Sequence, residues 1–223
     1  MFGFSIHTRE KAATPQLIER FRKLPVANVS DVMSRMTAGG ARLRPMHDGT
    51  PLAGVAITVK TRPGDNLMLH HAIDMSGVGD VIVVDAGGDL TNSLMGEMMA
   101  AYAMTRNIAG FVLDGAIRDA AAIKVESLPI FAAGITHRGP YKDGPGEINC
   151  PIAIDGMVVE PGDIIIGDDD GVLCVPLAQA EAICEEAEKK FTQEQAHIVN
   201  IKAGRMNRDW VAARLKELNV PVP

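Results

Sequence analysis

The chain has 223 residues, 47% hydrophobic and 22% charged, with 22 Gly and 13 Pro spread along its length. This excludes a disordered or low-complexity protein and leaves ample material for a core. With 22 basic against 28 acidic side chains the net charge is -6, so neither nucleic acid nor an anionic membrane is expected as a partner.

The longest apolar runs, such as Val81 to Val84 and Ile164 to Ile166, fall far short of the roughly 18 residues that suggest a membrane span. The N-terminal stretch lacks the basic segment and apolar core of a secretory signal, which gives a cytoplasmic expectation. Cys150, Cys174 and Cys184 are odd in number and lack C-x-x-C spacing; they read as reduced, mostly buried thiols.

In chain order, Pro15 occupies a first-turn position and Leu17, Ile18, Phe21 and Leu24 recur at helical spacing until Pro25, predicting an amphipathic helix. Ser30 reads as the N-cap of a second short helix through Asp31, Val32, Met33 and Met36, ending near Gly39-Gly40. Val55 to Thr61, followed by Pro63-Gly64, predicts a strand and a turn. A βα rhythm follows: helix from Asn66 to Met75, strand from Val81 to Asp85, helix from Thr91 to Arg106, strand from Gly110 to Leu113. A short helix from Ile117 to Val125, a strand from Pro129 to Ala132 and a long loop from His137 to Asn149 complete this half.

Beyond Pro151 the signals become antiparallel. Asp155-Gly156 between Ala153-Ile154 and Met157 to Val159 is a hairpin signature, and Pro161-Gly162 introduces another strand pair. Asp168-Asp169-Asp170-Gly171 separates Ile164 to Ile166 from Val172 to Val175. It lacks the alternating donors and terminal Glu of a calcium loop, so a hairpin turn is expected. Leu177 to about Leu218 reads as a charged helical tail broken near Gly204. No linker divides the chain, which is read as one domain, 1–223, with that tail at 177–218.

Asp85 to Asp119 is the stretch richest in chemistry, because two βα junctions fall inside it. Ligands of parallel α/β sheets gather where strands end and helix N-termini supply free N–H groups. Gly87-Gly88 and Thr91-Asn92-Ser93 mark the first junction, Gly115 to Asp119 the second. Gly96, Glu97, Met98 and Met99 could offer amides to a carboxylate, or form an ordinary helix start with a packing glycine. Arg118-Asp119 places a fixed cation beside a hard oxygen ligand, suited to an enolate and to Mg²⁺ or Mn²⁺; the alternative is a surface ion pair and a helix-start acid. There is no G-x-G-x-x-G, no P-loop and no G-x-S-x-G, which removes the main sequence support for nucleotide cofactors and serine hydrolysis. His70-His71 face different directions on a helix and are assigned structural roles. His137 reads as a rim residue facing a polyacid substrate or as a locally bonded loop histidine.

Val29-Ser30-Asp31-Val32, Gly-Glu-Met-Met at 96–99, Asp-Gly-Ala-Ile-Arg-Asp at 114–119, Gly-Pro-Gly-Glu at 144–147 and Pro-Gly-Asp at 161–163 carry a resemblance that runs from about Pro25 to Pro176. The sequence resembles the RraA-like family. That family includes the metal-dependent 4-hydroxy-4-methyl-2-oxoglutarate / 4-carboxy-4-hydroxy-2-oxoadipate aldolases and the regulator of ribonuclease E activity. The resemblance implies an α/β fold of the swivelling-domain type, a β/β/α three-layer sandwich with mixed sheets, assembled as homotrimers or homohexamers with sites near subunit boundaries. It further implies that the Gly96 to Met99 amides and Arg118 bind substrate, that Asp119 holds a divalent metal, and that Glu97 organises water or moves a proton. Glu194 of a neighbouring C-terminal helix would complete the water shell.

The implied function is a metal-dependent lyase that cleaves a C–C bond of a 2-oxo acid to give pyruvate, with oxaloacetate decarboxylation as a related activity. The alternative is a non-catalytic protein-binding regulator of the ribonuclease E type. One position departs from the aldolase pattern Arg-Asp-x-x-Glu/Asp: Ala122 stands where the acid belongs. Acids that support a metal site from outside its ligands change affinity by roughly 10–100-fold; Glu147 or Asp143 are the sequence's candidates to replace it.

Overall fold

The computed structural model describes residues 3–37, 39 and 41–221. In chain order the elements are β1 (Phe4–Ile6), α1 (Pro15–Phe21), α2 (Val26–Val32), β2 (Arg44–Pro45), β3 (Leu52–Thr61), α3 (Leu67–Met75), β4 (Asp80–Asp85), β5 (Ser93–Met95), α4 (Glu97–Thr105), β6 (Gly110–Ile117) and α5 (Ala120–Ile123). There follow β7 (Ile130–Ile135), β8 (Gly146–Ile148), β9 (Ile152–Ile154), β10 (Met157–Val159), β11 (Ile164–Asp168), β12 (Gly171–Val175), α6 (Ala180–Lys202) and α7 (Asp209–Glu217). The chain divides into two compact units, residues 1–187 and 188–223.

In the first unit β3, β4, β6 and β7 form a parallel centre. Val81 and Val83 of β4 join one core while Ile82 and Val84 join another, so a continuous apolar run is what a strand buried on both faces requires. On one face Leu69, Ala72 and Ile73 of α3, Ala100 and Ala103 of α4 and Ile123 of α5 pack with Ile57, Val59, Phe111 and Leu113. On the other, Ile152, Ile154, Met157 and Val159 of the β9–β10 hairpin pack with Ala56 and Val112. Helices, mixed sheet and hairpin make the expected β/β/α three-layer sandwich. The hairpin turns at 155–156 and 168–171 also match expectation.

Two strands fork. One edge of β3 pairs antiparallel with β11 through Leu52 to Val55 and antiparallel with β8 through Val59 to Thr61. β6 pairs with β4 from Gly110 to Asp114, then switches to β5 at Ala116 and Ile117. The chain between β4 and β5 leaves the sheet at this second fork.

Several expected boundaries move, each for a tertiary reason. α2 starts at Val26 rather than after Ser30, and its first N–H donates to the Asp168 carboxylate 2.9 Å away, a cap from the β11–β12 turn that no local pattern reveals. Gly39 is not helical, and Gly40 lies outside the described residues. Within the expected helix 91–106, Ser93 to Met95 are instead extended, paired with β6. Ile117 is strand rather than helix because β5 and β7 both pair with it, which shortens the helix to Ala120–Ile123. The 137–149 loop contains β8, recruited by β3 and β1. The short strands β1 and β2 offered no sequence signal.

α1 begins as expected, Thr14 accepting the Leu17 N–H at 3.3 Å ahead of Pro15. The second unit contains the distal part of α6 and α7, with Gly204 at φ +69° between them. None of its described residues is buried.

Candidate active site

Where β6 ends, the Arg118 N–H donates to Met95 O at 3.0 Å and Asp119 enters the left-handed region at φ 56°. A non-glycine residue holds such a backbone only under constraint. Asp119 is the N-cap of α5, yet it caps α4 instead: its Oδ2 accepts the Glu97 N–H at 3.1 Å. The expected helix-start acid therefore serves a different helix. Gly96 explains how the two approach, since a Cβ there would lie 2.3 Å from Asp119 Oδ2 and 3.0 Å from Arg118 Cγ. The Arg118 Nε stands 3.8 Å from the same Oδ2, and both side chains remain partly exposed, at 45% and 43%.

A cleft of about 320 Å³ opens here. α4 contributes Met98 and Met99 to it, preceded by its N-cap Gly96; β5 contributes Leu94 and Met95, and α3 contributes His70, preceded by Asn66. The Met99 N–H donates to Gly96 O at 3.1 Å and that of Glu97 is taken by Asp119, which leaves Gly96 and Met98 as the segment's remaining amide donors. Met98 is 86% exposed. The Glu97 side chain is exposed and is not part of the lining, so this residue enters the site through its backbone.

Sequence reasoning missed the far wall. Asn66 is 1% exposed; its Nδ2 donates to Leu94 O at 2.8 Å, which fixes the orientation of the amide, and lies 3.5 Å from Met99 Sδ. Its Oδ1 is buried without a partner among the described residues. An unsatisfied buried acceptor costs about 1–3 kcal/mol; Asn66 lines the cleft as a residue, with this oxygen sealed from solvent. Lys142 Nζ donates to His70 Nε2 at 2.9 Å. Burial, reinforced by the neighbouring Lys142 charge and opposed by Asp74, pushes the His70 pKa down, consistent with a neutral, accepting ring. His70 is thus a lining residue rather than only a structural one; His71 and His137 are exposed and outside the lining. The signal that could have found this wall is Lys142, the cation carried by the loop that follows His137 and Arg138.

The loop 138–144 is fastened at both ends. Ser93 N and Oγ donate to Arg138 O at 2.8 and 2.9 Å, and Asn92 Nδ2 to Gly139 O at 2.5 Å. Asn92 and Ser93 therefore hold a loop, while the Thr91 N–H and hydroxyl donate to Asp89 Oδ1. The Gly87-Gly88 junction likewise serves structure: Gly88 N–H donates to Asp114 O, and Arg42 packs where a Gly88 side chain would sit while pairing with the Asp114 carboxylate at 2.5 Å.

Asp119 is the lone carboxylate among the described lining residues, and no cluster of three or more His, Cys, Asp or Glu able to hold a metal occurs among the described residues. Neither Asp143 nor Glu147 lines the cleft to replace the acid missing at Ala122. One accessible hard oxygen donor does not make a protein cage, but it suits Mg²⁺ or Mn²⁺ with water and substrate oxygens completing the shell.

Residues 26–174 match the profile of the RraA-like family, described as Aldolase/RraA. A Halalkalibacterium halodurans protein named as a candidate 4-hydroxy-4-methyl-2-oxoglutarate aldolase is 40% identical over 179 residues, 80% of this chain and 85% of its own. A Thermus thermophilus protein named 4-hydroxy-4-methyl-2-oxoglutarate aldolase is 33% identical over 112 residues, 50% of this chain and 68% of its own. Among solved structures, an uncharacterized Pseudomonas syringae protein superposes with a TM-score of 0.80 at 25% identity, covering 88% of this chain and 96% of that one. The RNA-processing inhibitor RraA of Thermus thermophilus gives 0.64 at 28% identity, covering 69% and 93%.

Proposed function

The chain belongs to the RraA-like (Aldolase/RraA) family, and on that premise we propose that it is a lyase cleaving a C–C bond of a 2-oxo acid to release pyruvate. The observation that carries the reading is the convergence of the Arg118 guanidinium, the Asp119 carboxylate and the start of α4 on one cleft. The names of its aldolase relatives support the reaction class, and 4-hydroxy-4-methyl-2-oxoglutarate, 4-carboxy-4-hydroxy-2-oxoadipate and oxaloacetate are the substrates to examine.

Asp119 would hold the divalent cation, Mg²⁺ or Mn²⁺, which when bound supplies Lewis-acid polarisation of the 2-oxo group. Arg118 binds the substrate and neutralises enolate charge as the bond breaks, a preorganised role worth about 3–4 kcal/mol by analogy with oxyanion donors. The Gly96 and Met98 N–H groups at the start of α4 orient the carboxylate. Asn66, through its Nδ2 bond to Leu94 O, holds β5 at the wall of the cleft. Glu97 acts through its N–H, holding Asp119 in place. Assembly as a homotrimer or homohexamer in the cytoplasm belongs to the same proposal.

Purified protein with Mg²⁺ or Mn²⁺ should release pyruvate from these acids, and excess EDTA should abolish release. A full rate without metal would reject the reading. Ala122 and the likeness to an RNA-processing inhibitor favour a second reading, a protein-binding regulator without turnover. Co-purification with a ribonuclease, together with no turnover on any of these acids, would establish that reading in place of the first.

A further inference from the structure

The loop that carries Lys142 is held by a carboxylate that the proposed reaction does not use. Asp65 is fully buried. Its Oδ2 accepts the Asp143 and Gly144 N–H groups at 2.8 and 2.9 Å and Arg62 Nη2 at 3.2 Å, while its Oδ1 accepts the Leu67 N–H at 2.9 Å. One side chain thus ties the residues after Lys142 to the first turn of α3, immediately beside Asn66. The backbone repeats the connection: Asn66 N–H donates to Tyr141 O and Tyr141 N–H to Gly64 O. On the other side of the ammonium, the His70 ring accepts its hydrogen bond.

Lys142 lines the same cleft as Arg118, and the two cations reach it from different elements, the loop and the end of β6. A substrate carboxylate engaged by Arg118 leaves Lys142 available for a second anionic group, and charge-assisted hydrogen bonds of this kind are the strong ones. A flexible lysine gains selectivity only if its stem is held. We propose that Asp65 is a positioning residue for substrate choice: by fixing the 142–144 loop to α3 it holds the Lys142 ammonium where it reads a second carboxylate, so the cleft takes oxo diacids in preference to oxo monoacids. The inference rests on reading this cleft as a 2-oxo-acid site.

The test is calorimetric binding of 2-oxoglutarate and of pyruvate to the full chain in the presence of Mg²⁺. Wild type should bind the diacid about tenfold more tightly, a free-energy difference set by one well-placed ion pair. Asp65→Asn should bring the two affinities within about twofold while the pyruvate Kd moves less than about threefold. In a Lys142→Met background, which has already lost the preference, Asp65→Asn should change the ratio no further, as expected for residues acting through one contact. Equal affinities in wild type would overturn the proposal. So would a preference retained in Asp65→Asn or in Lys142→Met, or equal weakening of both ligands in Asp65→Asn with a lowered Tm.

Should Asp65→Asn not fold, Asp143→Pro removes one of the donors and leaves the carboxylate. It must lose the same preference, and retention would overturn the proposal. Binding is read without turnover, so the two failures separate. A wild type that discriminates but releases no pyruvate refutes the lyase reading alone. Pyruvate release with undiminished discrimination in Asp65→Asn refutes this inference alone.

Discussion

The protein has a larger cavity than the candidate active site, and the contrast between the two is instructive. About 520 Å³ lies beside β10 and the start of β11, bordered by Lys11, Glu160, Asp163 and Leu177, against about 320 Å³ around Arg118 and Asp119. Each cavity has an aspartate, but their bonding differs. Asp163 is buried; its Oδ1 accepts the Leu177 N–H, and its Oδ2 accepts the Glu160 N–H and the Cys174 S–H. Asp119 takes the Glu97 N–H and keeps an accessible carboxylate. Reactivity follows unfilled bonding capacity, and volume alone does not indicate it.

Substituting the two aspartates should separate these roles most sharply. Asp119→Ala should reduce pyruvate release by at least about 10³-fold, because it removes the lone carboxylate among the described lining residues, with a fall in Tm of a few degrees from the lost α4 cap. Asp163→Ala should do the reverse, destabilising the fold by about 2–4 kcal/mol through the N–H groups it leaves unpaired, with activity per folded molecule retained. Comparable losses of activity in both variants, measured against the folded fraction by circular dichroism, would erase the distinction.

Arg118→Ala should follow, with kcat lower by about 10²–10³-fold, the range for a lost oxyanion donor. Gly96→Ala should cost about 10–100-fold, since its methyl group would occupy the space of the Asp119 carboxylate; unchanged kinetics would show that this close approach is dispensable. At Cys174, burial and the Asp163 carboxylate push the thiol pKa up, so native protein at pH 8 should react with thiol reagents at this residue far more slowly than urea-unfolded protein does. The smallest effect concerns His70. Its pKa is depressed in the folded state, so the unfolded chain takes the proton first as pH falls below about 6.5. The stability it contributes is present above that value and is lost as pH drops through the folded-state pKa. His70→Gln should therefore flatten the fall in Tm between pH 7 and 5.

Much of this arrangement could be read from the chain because its signals are local. Asp155-Gly156 and Asp168 to Gly171 fall between apolar runs and formed the expected turns. Gly96, Arg118 and Asp119 sit at strand and helix ends, where spacing alone brings them to one sheet edge. What escaped depends on distant partners. Asn66, His70 and Lys142 meet only because residues 138–144 are drawn across to α3 by Asp65 and across to β5 by Asn92 and Ser93. The true start of α2 is set by Asp168, more than a hundred residues further along the chain. Asp119 could be read from the chain as a residue of the candidate site but not as the cap of a helix that precedes it, because that role needs its left-handed backbone and the missing Gly96 side chain together.

The double fastening of the 138–144 loop bears on the thermodynamics of recognition. A wall already tied down before any guest arrives has little conformational freedom left to surrender, so association loses less entropy than it would with a mobile lid. The receptor is in this sense rigid, and selectivity among guests is set by how well each one matches a fixed arrangement of charges.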